Sequence, residues 1–276
     1  MSASRPSLGA RLAARLETLP ERGERLLLVG LLAALLALYV PINHLTAGRS
    51  AAAPGSWVDA RIPLTLEWMG LYGLLYVFLL LPAALPMDRV SFRAVARAYA
   101  ATTLVSFAVF LTAPVHMVER PVLAEPDSFF AWLLALTHWI DTPSNCLPSL
   151  HVSLSLLAGL SAASVSPRLG RVAVPLGLLI GTSTLFVEQH WWADVWTGWL
   201  LGAASWTLLV RGRLRLAPSG SARLRRGLLG LLALQGLLAA GAWLLYASGW
   251  VQPAELPDLT GWVQVLAGEG GEAQAP

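Results

Sequence analysis

The stretch "SLHVSLSLLAGLSAASVSPRLGRVAVPLGLLIGTSTLFVE" (149–188) contains two apolar segments joined by a short polar link. We assign the segments to residues 149–166 and 171–188, and Arg168 and Arg171 mark the link. Each segment approaches the roughly 20 apolar residues with which an α-helix crosses a bilayer. The stretch therefore predicts two neighbouring membrane helices that run in opposite directions.

Further apolar segments lie on both sides of this pair, at 26–42, 65–86, 94–113, 191–210 and 227–248. The chain is 56% hydrophobic and only 13% charged, whereas about a quarter of the residues of a soluble domain are charged. Lipid admits only helices or closed barrels, and runs of Leu, Ala and Gly without alternation argue against a barrel. The sequence predicts an all-α fold, a polytopic transmembrane helical bundle of about six to seven spans.

The spans divide the chain into one membrane domain with two flanking pieces. We predict a cytoplasmic N-terminal segment at 1–25, a transmembrane domain at 26–248 and a partly disordered extracytoplasmic tail at 249–276. Within the long third loop, "SFFAWLLALTHWI" (128–140) is apolar but too short to span. It predicts an interfacial helix.

All 19 basic residues are arginine, and they are sorted by loop. Most lie before the first span or in the second, fourth and sixth loops; only Arg49, Arg61 and Arg120 fall in the odd-numbered loops. Positive loops stay cytoplasmic, so we expect a cytoplasmic N-terminus in a bacterial-type inner or plasma membrane. The same sorting gives no indication of a nucleic-acid partner. The oligomeric state is not predicted.

This topology gathers several polar side chains at the extracytoplasmic edge. Ser149 and His151 begin the inward fourth span, Ser183 and Thr184 end the outward fifth span, and His190 and Asp194 begin the sixth. Arg120 lies in the outer third loop. Ionisable groups at a membrane edge are costly and are functional candidates by default.

The chemistry of this set fits a phosphate. Helix N-termini bind anions, Pro148 suits a first helical position, and an arginine fork matches phosphate oxygens. The i, i+4 spacing puts Asp194 on the face of His190, where a carboxylate orients one ring nitrogen and leaves the other nucleophilic. His151 is then available as a general acid or base.

"PSLH" (148–151) and "ST-x5-H-x3-D" (183–194) resemble the second and third signatures of the type-2 phosphatidic acid phosphatase superfamily. The variant that they resemble most is the inositolphosphotransferase-like branch, which includes inositol phosphorylceramide synthases. The resemblance, over about 110–205, implies that His190 forms a phosphohistidine, Asp194 orients it and His151 protonates the leaving group. It also implies that Arg120, Ser149 and Ser183, with Thr184 beside it, hold the phosphate, and that 26–248 is a transmembrane phosphatase/phosphotransferase-like domain. Two histidines and a carboxylate can transfer a phosphoryl group without a metal, so we expect no metal or cofactor.

Two positions depart from the phosphatase pattern. The lysine of the first signature would fall at Ala113, and the arginine that usually follows the serine of the third signature is Thr184. Two phosphate-binding cations are therefore missing. The inositolphosphotransferase-like branch resembles this chain in lacking that arginine.

Several alternatives stay open. Water and an alcohol such as inositol are both possible acceptors for a phosphoryl group taken from a membrane lipid substrate. A non-catalytic lipid-binding or scaffold protein is the alternative function. Cys146 with His151, His190 and Asp194 would also be a chemically acceptable zinc set.

Overall fold

The computed structural model describes residues 21–117, 120, 121, 123, 126–214, 220–257 and 259. Within these ranges the chain is helical, and its extended pairing is limited to one isolated bridge between Ala52 and Val115. The predicted all-α fold is confirmed. Residues 1–20 and 260–276, which make up most of the two predicted flanking pieces, lie outside the described residues, and the predicted domain boundaries stay predictions.

Eleven α-helices make up the described part: α1 Glu21–Ala37, α2 Tyr39–Thr46, α3 Met69–Tyr72, α4 Leu75–Phe78, α5 Leu81–Ala84, α6 Arg89–Thr112, α7 Phe129–Ile140, α8 Leu150–Val165, α9 Pro167–Phe186, α10 Trp192–Leu209 and α11 Gly220–Ser248. Short 3-10 turns occur at Asp59–Arg61, Leu66–Trp68 and Pro253–Glu255. Helical segments thus occupy all seven positions at which the sequence predicts a span.

Four of these segments are long and apolar enough to cross a membrane: Glu21–Thr46, which joins α1 and α2, then Arg89–Thr112, Pro167–Phe186 and Ala222–Ser248. The predicted span at 65–86 is not one continuous helix but a 3-10 turn followed by α3, α4 and α5. Pro82 lies at the start of α5 and supplies no backbone N–H to the turn before it. Together these segments make the chain a polytopic membrane protein.

Helix α8 occupies the centre of the bundle. It packs closely on α9 and α10, and the side chains of Val152, Leu154 and Leu157 are buried. A Cβ at Gly202 of α10 would lie 2.5 Å from the carbonyl oxygen of Ser153, and one at Gly198 would lie 2.9 Å from that of Ser149. These two glycines therefore let α10 approach the backbone of α8, as small residues do between membrane helices.

The outermost helices contrast with this core. Within α1 and α11 large apolar side chains such as Leu26, Leu232 and Leu237 are exposed. A helix that is apolar all round suits a lipid environment. The short helix α7 is apolar, as predicted, and its Trp132 indole donates to the carbonyl oxygen of Val251 after α11, at 2.8 Å.

Candidate functional site

Ser149 and His151 are positioned by the start of α8. Ser149 is the N-cap, and its hydroxyl accepts from the backbone N–H of Val152 at 3.4 Å. Helix α8 begins at Leu150, so Pro148 precedes the cap and does not take the first helical position that we expected for it. His151 lies in the first turn, next to the free N–H groups of the helix end.

His190 and Asp194 are positioned by the turn from α9 into α10. The backbone N–H of Gln189 donates to the carbonyl oxygen of Thr184, and Glu188 has a positive φ of 52°. Helix α10 begins at Trp192, so His190 precedes the helix instead of lying in its first turn. The carboxylate of Asp194 is nevertheless turned toward the residues that precede the helix, because its Oδ2 accepts from the backbone N–H of Trp191, the N-cap, at 2.8 Å.

A row of hydrogen bonds joins three predicted residues. Asp194 Oδ2 lies 3.3 Å from His190 Nδ1, and His190 Nε2 lies 3.0 Å from the hydroxyl of Ser149. All three side chains are buried. A carboxylate at Nδ1 keeps the proton on that nitrogen, so Nε2 presents its lone pair to the serine hydroxyl.

The second histidine is adjacent to the first. The ring centroids of His151 and His190 are 5.6 Å apart, and the ring planes make an angle of 61°. The Nε2 atom of His151 lies 2.9 Å from the hydroxyl of Tyr72 in α3. Tyr72 was not predicted; its only sequence signal is a phenol within an apolar span.

Arg120 is held at the same end of the bundle by Asp141, a residue to which we assigned no role. One guanidinium nitrogen donates to the backbone carbonyl of Asp141, and Nη2 lies 4.0 Å from its carboxylate. The hydroxyl of Tyr39 also donates to this carboxylate, at 2.6 Å. Burial, and then the positive charge of Arg120, lowers the pKa of His138 to about 3, so His138 adds no charge to the site at neutral pH.

Ser183 and Thr184 are buried in the last turns of α9, but their hydroxyls point back to their own helix. Ser183 donates to the carbonyl oxygen of Ile180 at 2.6 Å and Thr184 to that of Gly181 at 2.7 Å. Neither hydroxyl has a hydrogen bond to His190, His151 or Arg120 in the described part of the chain. Hydroxyls in a helix commonly bond in this way to the preceding turn.

Three buried N–H donors at this end have no hydrogen-bond partner among the described residues. They are Arg120 Nε, Asn145 Nδ2 and Gln189 Nε2. Asn145 is anchored through its oxygen, which accepts from Thr46 at 2.8 Å, whereas neither side-chain atom of Gln189 is paired. Buried polar groups are normally satisfied. Two buried acceptors, Asp194 Oδ1 and Gln189 Oε1, are also unpaired among the described residues, so this end of the bundle keeps hydrogen-bonding capacity for a polar ligand. Neither Asn145 nor Gln189 was predicted from the sequence as a phosphate-binding residue.

Cys146, His190 and Asp194 could in principle meet at a metal ion, since one ligand atom from each lies within 4.8 Å of the others. His151, the fourth member of the expected zinc set, is not in this group. Both nitrogens of His190 are already hydrogen-bonded. Burial also raises the pKa of the Cys146 thiol well above its usual range, which disfavours the thiolate that zinc needs. We therefore do not assign these residues as metal ligands.

Comparisons with known proteins give one result. A search of curated proteins and a search of solved structures each found no match. A family model described as "PAP2 superfamily" matches residues 27–217, which is more than half of the chain and includes both histidines. The match supports a phosphatase or phosphotransferase type of activity on lipid phosphates. The chain belongs to the PAP2 superfamily.

Proposed function

We propose that this protein transfers a phosphoryl group, or a phosphate-linked headgroup, from a membrane lipid through a covalent phosphohistidine on His190. The observation that carries the proposal is the row Asp194–His190–Ser149 with the ring of His151 beside it. A buried carboxylate, an imidazole with one free lone pair and a second imidazole are the groups that such a transfer needs without a metal.

His190 acts as the nucleophile. In the tautomer that Asp194 favours, Nε2 carries the lone pair that attacks phosphorus. As the bond to phosphorus forms, the ring becomes cationic, and the carboxylate at Nδ1 stabilises that charge in a buried setting. The hydroxyl of Ser149 lies 3.0 Å from Nε2, and it can turn to a phosphate oxygen when the substrate binds.

His151 serves as the acid for the leaving oxygen and then as the base for the acceptor. Arg120, Asn145 and Gln189 supply unpaired donors for the phosphate oxygens. In this assignment Asn145 and Gln189 take the role that the resemblance gave to Ser183 and Thr184.

The acceptor is water in a phosphatase and an alcohol such as inositol in a transferase. The missing third-motif arginine, Thr184 here, favours the inositolphosphotransferase-like branch. The sorting of arginines between loops favours an extracytoplasmic site, because the histidines lie at the end of the bundle opposite Arg89 and Arg93.

One alternative nucleophile follows from the same contacts. The contacts run from Asp194 to His190 to Ser149, as in a carboxylate–histidine–serine triad. In that case Ser149 would take the phosphoryl group. The two products differ chemically, because phosphohistidine is labile in acid and stable in alkali, whereas phosphoserine behaves in the opposite way.

Trapping the phosphoenzyme tests the proposal. Purified protein in detergent is mixed with ³²P-labelled phosphatidic acid, quenched in denaturant and divided between acid and alkali. We expect label that survives alkali and is lost in acid, and we expect His190→Ala to lose the label and at least about 1000-fold in turnover. Acid-stable label that persists in His190→Ala and vanishes in Ser149→Ala would move the nucleophile to Ser149.

Three further measurements separate the alternative functions. Addition of inositol should divert phosphate from water into an inositol product in a transferase, while release of inorganic phosphate regardless of inositol identifies a phosphatase. A non-catalytic lipid-binding protein would bind the same lipid in both parent and His190→Ala without turnover in either. Chelators should leave the rate unchanged, and inhibition by them would revive the zinc site.

A further inference from the structure

We propose that Tyr72 is a positioning residue for His151, which fixes Nδ1 as the ring nitrogen that exchanges a proton with the substrate. This inference rests on the proposed function, since it specifies how the second histidine works in the same transfer. It starts from a contact that the motifs do not contain: the hydroxyl of Tyr72 lies 2.9 Å from His151 Nε2.

The contact is isolated and buried. Tyr72 is 1% exposed, and the two ring centroids are 5.1 Å apart. In the described part of the chain, neither side chain has another hydrogen bond. Met69 of α3, Leu134 of α7 and Val187, which follows α9, pack in one cluster with Tyr72, so the phenol is held by parts of the chain other than the helix that carries His151.

A phenol suits this position because its hydroxyl can either donate or accept. It accepts from Nε2–H both when the His151 ring is protonated and when the ring is neutral with its lone pair on Nδ1. In both states Nε2 stays occupied by Tyr72. The only nitrogen of His151 left to meet a reacting oxygen is therefore Nδ1.

The transfer then balances in two steps. In the first, His190 Nε2 bonds to phosphorus, the bond from phosphorus to the lipid oxygen breaks, and that oxygen takes the proton from His151 Nδ1. In the second, water or an alcohol attacks phosphorus, its proton goes to His151 Nδ1, and the bonding pair returns to His190 Nε2. Tyr72 is chemically unchanged throughout.

Leaving-group dependence tests this role. An alkyl leaving group, as in a short-chain phosphatidic acid, needs a proton as it departs, whereas the nitrophenolate of p-nitrophenyl phosphate leaves without one. Tyr72→Phe removes one oxygen and keeps the ring in its packing. We expect kcat on the lipid phosphate to fall at least about tenfold with KM nearly unchanged, and kcat on p-nitrophenyl phosphate to stay within about twofold.

Tyr76→Phe is the matched control, because Tyr76 follows one turn later, is 57% exposed and has no hydrogen bond among the described residues. It should behave like the parent on both substrates. In a His151→Ala background, Tyr72→Phe should cause no further loss on the lipid phosphate.

The outcomes separate this inference from the proposed function. If the parent turns over neither phosphate ester, the proposed function fails. If the parent is active and Tyr72→Phe loses equally on both substrates, loses on neither, or adds its loss to that of His151→Ala, the positioning role of Tyr72 is wrong while the proposed function stands.

Discussion

The two ends of the bundle both bury charged side chains, but in different ways. At the end that carries Glu24, Arg89 and Arg93, which we term the arginine end, Glu24 is 2% exposed and lies between two guanidinium groups, with 2.9 Å to Arg89 Nε. At the end that carries His151 and His190, the site end, the ion pair between Arg120 and Asp141 is 4.0 Å long.

The two ends also differ in the partners of their buried charged and polar groups. At the arginine end, Glu21 and Glu24 of α1 meet arginines of α1, α6 and α11, so carboxylates are matched to cations across helices. At the site end, Arg120 Nε, Asn145 Nδ2 and Gln189 Nε2 are buried donors without a partner in the described chain. The arginine end also has a buried donor that is unpaired within the described ranges, Arg25 Nε. What distinguishes the site end is the pair of imidazoles beside a buried carboxylate. The comparison teaches that neither burial of charge nor an unpaired donor marks a site by itself; the two histidines with their carboxylate do.

The largest expected effect on activity is that of replacing the aspartate at the site end, Asp194. Asp194→Asn should lower kcat/KM about 1000-fold, because an amide neither fixes the tautomer of His190 nor stabilises its positive charge. Stability should change by less than about 1 kcal/mol, since the amide oxygen can still accept from the Trp191 N–H.

Asp88→Asn is the control at the arginine end, where Asp88 caps α6 by accepting from Ser91 at 2.8 Å. Steady-state kinetics and thermal unfolding of both variants check the pair. Equal activities in the two variants would remove the role that we give to Asp194.

An intermediate effect is expected at the arginine end. Glu24→Gln should lower the free energy of unfolding by about 2 kcal/mol, because it removes the shared carboxylate charge between Arg89 and Arg93. The figure lies below the value for a fully buried pair, since these two side chains are 33% and 30% exposed.

The activity of Glu24→Gln, unlike its stability, should hardly change. Turnover per folded molecule should stay within about twofold of the parent, because the site lies at the other end of the 24-residue helix α6, about 36 Å long. Chemical denaturation in detergent and a lipid phosphate assay measure the two quantities. A large loss of turnover in folded Glu24→Gln would show that the ends are coupled.

The smallest expected effect concerns an unpaired amide. Gln189→Met keeps the shape of the side chain and removes its donors, so KM for a lipid phosphate should rise about tenfold. Stability should hold or rise by about 1 kcal/mol, because an unsatisfied buried amide is lost.

Gln235→Met provides the match, since Gln235 of α11 also has an unpaired buried side-chain oxygen but lines an apolar groove away from the histidines. Its KM should equal that of the parent. If Gln189→Met also leaves KM unchanged, Gln189 does not contact phosphate.

The sequence by itself determined the helical fold and the neighbourhood of the site. Apolar segments of membrane length leave helices as the available backbone structure, and opposite directions of successive spans bring His151 and His190 to one end. The i, i+4 spacing also sufficed for the contact between His190 and Asp194, even though His190 precedes the helix.

Only the tertiary structure decided which partners each side chain meets. The pairing of Tyr72 with His151 and of Arg120 with Asp141 joins positions 79 and 21 residues apart, and no local pattern encodes such contacts. The sequence placed Ser183 and Thr184 at the site, but the structure does not pair them with the histidines. Their hydroxyls donate to carbonyl oxygens within α9. Spacing along one helix fixes a face, whereas the rotation and approach of different helices depend on packing at positions such as Gly198 and Gly202 of α10.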